Sequence, residues 1–173
     1  MRIFLQGERN IGKSTVIRKT LDLLQAEKPL VFGGFYTWNG GSEDPHVYIK
    51  SANNEFDENT YTVADFDFSK GGANCHIHVF ENEGVRFLRD TLGADLVIMD
   101  ELGYMESSAE EFKRAVFEVI ESNVPVFGVL RLGDVPWHDE IKRKESVTLV
   151  DVNEENRDDL PKILFKLFST KLT

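Results

Sequence analysis

Residues Gly7-Glu8-Arg9-Asn10-Ile11-Gly12-Lys13-Ser14 follow the spacing G-x-x-x-x-G-K-[ST], and Thr15 comes next. These residue types at this spacing bind phosphate. Gly7 and Gly12 permit backbone angles that other residues resist, so consecutive N–H groups can converge on phosphate oxygens. A helix starting near Lys13 adds the positive end of its dipole. Lys13 is expected to reach the β- and γ-phosphates, and the Ser14 hydroxyl to ligate Mg²⁺. Thr15 is placed to donate to the α-phosphate. The bland alternative is a glycine-rich turn that caps a helix, and the strand–loop–helix context disfavours it.

A second constellation lies at Leu96-Val-Ile-Met-Asp100-Glu101, an apolar run that ends in two acids. Strands of a doubly wound sheet deliver their C-terminal residues to the ligand crevice. Asp100 is expected to serve Mg²⁺ opposite Ser14, and Glu101 to accept a proton from attacking water. Alone such a run is a weak signal, because many are simple strand ends; a phosphate loop upstream changes the balance. Arg131 closes the apolar run Val124 to Leu130 and should face the same crevice. There it would stabilise charge on a transferring phosphoryl group, the alternative being a salt bridge to a nearby carboxylate. Arg9, inside the loop, is open between a phosphate contact and solvent.

The elements that position these residues follow from periodicity. Residues 2–6 read as a short strand ending at Gly7. Val16, Ile17, Thr20, Leu21 and Leu24 form one helical stripe, stopped by Pro29. Leu30 to Thr37 is β-rich. Gly40-Gly41-Ser42 is a turn, and Val47 to Lys50 with Thr60 to Val63 suggests a hairpin. Val85, Leu88 and Leu92 fall at helical spacing. Residues 96–99 and 124–130 read as strands buried on both faces. Ser107 with Glu110 fits a capping box, leading into the stripe Phe112, Ala115, Val116, Val119 and Ile120. A short helix over 136–144, a strand over 147–150 and an amphipathic helix carrying Leu160, Ile163, Leu164, Leu167 and Phe168 complete the chain. Strands alternating with helices imply right-handed βαβ units. The fold class expected is α/β: a three-layer domain with a mainly parallel central sheet, a β-hairpin excursion around 40–65, and residues 1–173 as one unit.

Composition sets the limits. The 173 residues carry 20 Lys and Arg against 30 Asp and Glu, a net charge of −10, with 41% apolar side chains. That is enough apolar area for a core. The acidic balance disfavours nucleic acid, which needs a basic footprint. Cys75 is the only cysteine, so no disulfide framework exists. No apolar run is long enough to span a membrane, and the N-terminus does not read as a signal peptide. A cytoplasmic monomer is the default expectation.

Four segments in order resemble the small P-loop nucleoside-triphosphatases typified by thermophile enzymes and a human cancer-related nucleoside-triphosphatase. They are the loop at 7–15, Gly34-Phe35-Tyr36-Thr37, Asp100-Glu101-Leu102-Gly103-Tyr104-Met105-Glu106, and Asn153-Glu154-Glu155-Asn156-Arg157. The resemblance implies Mg²⁺-dependent hydrolysis of ATP, GTP and other nucleoside triphosphates to diphosphate and phosphate. It implies that Lys13 and Ser14 bind phosphates and metal, that Asp100 serves the metal, and that Glu101 is the general base. It also implies that Asn156 and Arg157 lie near the base of the nucleotide. Three positions depart from the family pattern. Asn10 replaces the middle loop glycine, and Asn tolerates left-handed angles better than most residues. Tyr104 replaces a lysine. The Gly-Phe-Tyr-Thr string is followed by Trp38-Asn-Gly-Gly41 rather than Glu-x-x-Arg, and no arginine occurs between Arg18 and Arg86.

Other residues invite a functional role but read more simply as structure. Phe35 is expected to pack, while Trp38, beyond its strand, is more open to stacking on a base. Trp137-His138 reads as a helix start rather than a nucleotide contact. Cys75-His-Ile-His78 lacks the partners a metal site needs, and two histidines two residues apart would share one strand face. Two rivals to hydrolysis stand. A kinase would use the same loop to pass phosphate to a nucleotide or small molecule, although the arginine-free span argues against an arginine-rich lid; Arg86 and Arg89 remain candidates for one. A nucleotide-dependent binding module would show negligible turnover.

Overall fold

The computed structural model describes residues 1–53, 55–67, 72–91 and 93–172. Strand β1 (Arg2–Gln6) leads through the phosphate loop into α1 (Lys13–Glu27), then β2 (Phe32–Asn39), β3 (His46–Ser51), β4 (Thr60–Asp67) and β5 (Gly72–Cys75). A helical segment follows as α2 (Ile77–Val79), a π-helical stretch (Phe80–Gly84) and α3 (Val85–Arg89). The chain continues through β6 (Leu96–Leu102), α4 (Glu110–Glu121), β7 (Val126–Leu130), α5 (Pro136–Lys142), β8 (Val147–Asp151) and α6 (Leu160–Ser169).

The strands form one eight-stranded sheet in the order β5-β4-β3-β2-β6-β7-β1-β8. From β8 to β2 every pairing is parallel, and β2 to β5 continue as antiparallel neighbours. The sheet is therefore mixed. The expected hairpin is part of a longer antiparallel extension that runs to Cys75.

Two cores cover the two faces. On one, Phe4, Phe35 and Met99 of the sheet pack against Phe80, Phe87, Phe112 and Val116. On the other, Ile3, Leu5 and Ile98 meet Val16, Ile17 and Leu24 of α1 and Leu164 and Phe168 of α6. Alternate residues of β1 thus feed opposite cores, which is why the inner strands read as unbroken apolar runs. Helix α1 buries the expected stripe and ends ahead of Pro29, with Lys28 extended at φ −155° and ψ 149°; a residue before proline is driven to that region.

Several expectations need correction. Helix α4 has Ala109, not Ser107, at its N-cap and no side-chain cap of its own. Ser107 is drawn into a turn, where its N–H donates to the Tyr104 carbonyl. The α4 N-terminus is satisfied instead by Glu81, whose carboxylate accepts from the Phe112 N–H at 3.2 Å. The helical segment that carries Val85 and Leu88 starts earlier, at Ile77, and Leu92 lies outside the described residues. His76 and His78 do not share a strand face, because β5 ends at Cys75 and His78 belongs to α2. In α6, Leu160, Leu164 and Phe168 are buried, but Ile163 and Leu167 face outward.

Candidate active site

The parallel strands β1, β6, β7 and β2 end on one edge of the sheet, and the phosphate loop closes over that edge. Gly7 has φ 152°, and a Cβ there would stand 2.5 Å from the Val152 carbonyl oxygen, so only glycine fits. Asn10 has φ 62°, the one non-glycine in the left-handed region among the described residues. The substituted loop position thus takes the backbone angle that glycine would supply. Gly12, at φ 108°, is the N-cap of α1.

Lys13 is 8% exposed, and its ammonium donates to the Gly7 and Glu8 carbonyls at 2.8 Å each. Burial lowers its pKa, against the opposing pull of Glu101 and Asp100. Ser14 donates from Oγ to Asp100 Oδ1 at 3.1 Å. Asp100 is 4% exposed, and burial pushes its carboxyl up to about 7 although the Ser14 hydrogen bond works the other way. The register Tyr36↔Asp100 between β2 and β6 brings Thr37 beside the acid pair. The Thr37 hydroxyl accepts from the Glu101 N–H at 3.0 Å and donates to the Asp100 carbonyl at 3.2 Å.

Arg131 follows β7, the strand between the loop strand and the acid-bearing strand. Its guanidinium lies 3.8 Å from a Glu101 carboxylate oxygen and 4.9 Å from the centre of the Tyr104 ring. The two alternatives for Arg131 therefore coexist: it faces the crevice and pairs there with a carboxylate. Tyr104, which replaces the family lysine, carries the guanidinium on its ring face. Behind this pair the chain is pinned at Gly103. Its N–H donates to the Glu106 carboxylate, and its carbonyl accepts from Trp137 Nε1 at 3.1 Å. Glu106 is fully enclosed, and burial raises its pKa to about 7. His138, beside Trp137, is buried and held to a pKa of about 4, so it is neutral near pH 7.

One cavity of about 610 Å³ opens between the loop and the acid pair. The residues expected to bind phosphate, Gly7, Glu8, Arg9, Asn10, Gly12, Lys13, Ser14 and Thr15, meet Asp100, Glu101 and Arg131 on its wall. Ile11 belongs to the loop but packs into the core below. Asn156 and Arg157 do not line the cavity. Asn156 is used within its own turn, donating to the Asp151 carbonyl at 2.8 Å, and Arg157 reaches the Ile11 carbonyl at 3.5 Å. Arg86 pairs with Asp57 and Arg89 with Glu118, both away from the cavity. Phe35 is fully buried against Phe112, as expected, and Trp137 is a structural donor rather than a cavity wall. Trp38, 40% exposed, lies against Tyr48 at the cavity rim. Among the described residues no three or more His, Cys, Asp and Glu side chains gather as a metal-binding group. No helix among them is long and apolar enough to cross a membrane. Sequence reasoning gave no role to Thr37, Asn39, Val47, Met105 or Leu132, all of which line the cavity. The signals were Thr37 at the end of its four-residue string and Met105 within the Asp100–Glu106 segment.

Comparison with known proteins agrees with this geometry. The nucleoside-triphosphatase THEP1 of Methanosarcina acetivorans is 32% identical over 187 aligned positions, covering 99% of each chain. That of Thermotoga petrophila is 30% identical, covering 96% of this chain and 93% of its own. The fold matches the crystal structure of THEP1 from Aquifex aeolicus with a TM-score of 0.79 at 23% identity, over 97% of this chain and 99% of that one. It matches the solution structure of a human cancer-related nucleoside triphosphatase with a TM-score of 0.76 at 21% identity, over 98% of each. A family model described as NTPase matches residues 2–165, and the chain belongs to that family.

Proposed function

We propose that the chain is a Mg²⁺-dependent nucleoside-triphosphatase that converts ATP, GTP and other nucleoside triphosphates to diphosphate and phosphate. Family membership supports the hydrolase class. One observation carries the assignment of roles: Lys13, Ser14, Asp100 and Glu101 converge on a single cavity, with Ser14 Oγ 3.1 Å from Asp100 Oδ1.

Loop N–H groups and the α1 N-terminus hold the phosphates. The Lys13 ammonium exchanges its two loop carbonyls for β- and γ-phosphate oxygens. A hydroxyl and a carboxylate side by side are hard oxygen donors and fit Mg²⁺, so Ser14 and Asp100 would hold it. Bound there, the ion supplies charge neutralisation at the phosphate oxygens. Burial raises the Asp100 pKa to about 7, and ligation would favour the ionised form. Glu101 accepts a proton from the attacking water, and Thr37 fixes the peptide on which Glu101 stands. Arg131 moves from Glu101 toward charge that develops on the γ-phosphoryl group, the part played by an arginine in cis in other hydrolases. Catalysis is by positioning and electrostatics, without a covalent intermediate. The reading takes residues 1–173 as one domain and places the enzyme in the cytoplasm.

The test is phosphate release from ATP, GTP, CTP and UTP with Mg²⁺, beside Lys13→Ala and Glu101→Gln. Steady release by the native protein, crippled in both variants, is expected. Nucleotide binding without release would overturn the hydrolase reading.

A further inference from the structure

Strands β6 and β7 end side by side, and their pairing is irregular at the acid pair. Met99 faces Gly128 and Leu102 faces Leu130, so Asp100 and Glu101 together stand opposite Val129. An extra residue of this kind disrupts the ladder locally and re-aims a side chain. Pairing resumes where the Arg131 N–H donates to the Leu102 carbonyl at 2.9 Å. The ladder therefore does not by itself set where Glu101 and Arg131 stand relative to each other. The residues just beyond the irregularity must help to set it.

Gly103 is the first of these residues, and it is buried. The stem of Arg131 lies along it: a Cβ at Gly103 would stand 3.4 Å from Arg131 Cδ and 3.8 Å from Arg131 Cβ. The next residue, Tyr104, sets its ring against the guanidinium. Both polar groups of Gly103 are held. Its N–H goes to Glu106, within the same turn, and its carbonyl accepts from Trp137 Nε1 at 3.1 Å. Trp137 comes from a different element, the first turn of α5. Phe117 of α4, at 6.4 Å, and His138, at 4.8 Å, set their rings edge-to-face with the indole. Such packing fixes the direction of the indole N–H. That N–H points at backbone rather than into the cavity, so any effect of Trp137 on the reaction must pass through Gly103.

We propose that Trp137 is a positioning residue for phosphoryl transfer: by holding the Gly103 carbonyl it fixes the backbone along which Arg131 lies, and so the reach of Arg131 toward the γ-phosphoryl group. The inference rests on the reading above, in which Arg131 meets charge that develops there. Without the indole N–H the buried Gly103 carbonyl loses its partner, and leaving such a group unpaired is costly. The turn shifts to recover a partner, and Arg131 and Tyr104 shift with it. Lys13 and Ser14 stand on α1 and hold the phosphates independently of this turn. Transfer is therefore impaired while nucleotide binding is retained.

The test is a double-mutant cycle on phosphate release from ATP with Mg²⁺, using the native protein, Trp137→Phe, Arg131→Ala and the pair combined. Trp137→Phe keeps a ring beside Phe117 and removes the donor. It is expected to lower kcat by about 10-fold, the scale of a sub-ångström misplacement, with KM near that of the native protein. In the Arg131→Ala background the same change should cost nothing further, because the group it positions is gone. Replacing Trp137 by β-(3-benzothienyl)alanine, which keeps the bicyclic shape and puts sulfur in place of the N–H, should reproduce the loss even where Trp137→Phe folds poorly. Native kcat with that isostere overturns the role of the N–H and leaves the hydrolase reading standing. Equal proportional losses with and without Arg131 overturn the route through Arg131. Absence of phosphate release from the native protein overturns the hydrolase reading and this inference with it.

Discussion

The Thr37 hydroxyl engages both polar groups of one peptide, accepting from the Glu101 N–H at 3.0 Å and donating to the Asp100 carbonyl at 3.2 Å. One side chain on β2 thereby fixes the backbone that carries both acids on β6. Removing it leaves two backbone groups without that partner, and a shift of about 1 Å at a catalytic group can cost about 10²-fold in rate. Thr37→Val is therefore expected to lower kcat by about 10-fold to 100-fold with a much smaller change in KM, whereas Thr37→Ser keeps most of the activity. Steady-state kinetics on the three proteins decide it. Activity kept in Thr37→Val and lost in Thr37→Ser would show that the methyl packing, not the hydroxyl, matters.

Arg131 stands 3.8 Å from Glu101 and over the Tyr104 ring. A surface ion pair of this kind adds little stability, so its main consequence should be catalytic. Arginines supplied in cis or in trans are worth about 10³-fold or more in related phosphoryl transfers. Arg131→Ala should leave the melting temperature near that of the native protein while single-turnover hydrolysis falls by about 10²-fold or more. Arg131→Lys should recover only part, because a point charge does not reproduce the guanidinium fork. Normal turnover in Arg131→Ala would remove Arg131 from the transition state and leave Arg9 as the other arginine on the cavity wall.

Phe112 lies between Phe35 at 5.4 Å and Phe80 at 5.3 Å, fully buried. It joins α4 to β2 and to the π-helical stretch. Truncating a buried phenylalanine costs about 3–5 kcal/mol. Phe112→Ala is expected to reduce the denaturation free energy by that amount in urea. The same change should loosen β2 beneath Thr37, so the variant should lose turnover at temperatures where it is still folded.

Much of this site was legible in the sequence because its parts are local. The glycine spacing, Lys13 and Ser14 lie within eight consecutive residues, and the loop's backbone angles follow from residue type, down to Asn10 at φ 62°. The parallel strands were legible from apolar runs that bury both faces. What escaped depends on pairing between distant segments. Thr37 reaches Asp100 through the register of β2 on β6, and no periodicity carries that register. The cap of α4 comes from Glu81, far back in the chain, so a local capping pattern pointed to Ser107 instead. The strand β5 consists of Gly-Ala-Asn-Cys, with no apolar alternation to announce it, and it forms because β4 offers an edge. Asn156 and Arg157 were carried over by likeness of sequence alone, and their side chains are taken up by the backbone of the β8–α6 turn and of the phosphate loop.

Glu106 is 2% exposed, and its carboxylate receives the Gly103 N–H two residues after Glu101. Burial raises its pKa from 4.5 to about 7. Between those values the folded protein holds a proton that the unfolded chain has already released. Folding stability must then fall as pH rises through this window, be fully present below it, and change no further from this group above it. The size of the loss is on the order of 3 kcal/mol. Glu106→Gln keeps an oxygen for the Gly103 N–H and removes the titration. Urea denaturation at about pH 5 and about pH 8 should therefore show the native protein losing more stability than the variant between the two conditions, with the variant the more stable at the higher pH. Parallel losses in the two proteins would mean that Glu106 stays ionised in its buried site, held there by Gly103 and the nearby Arg131 charge.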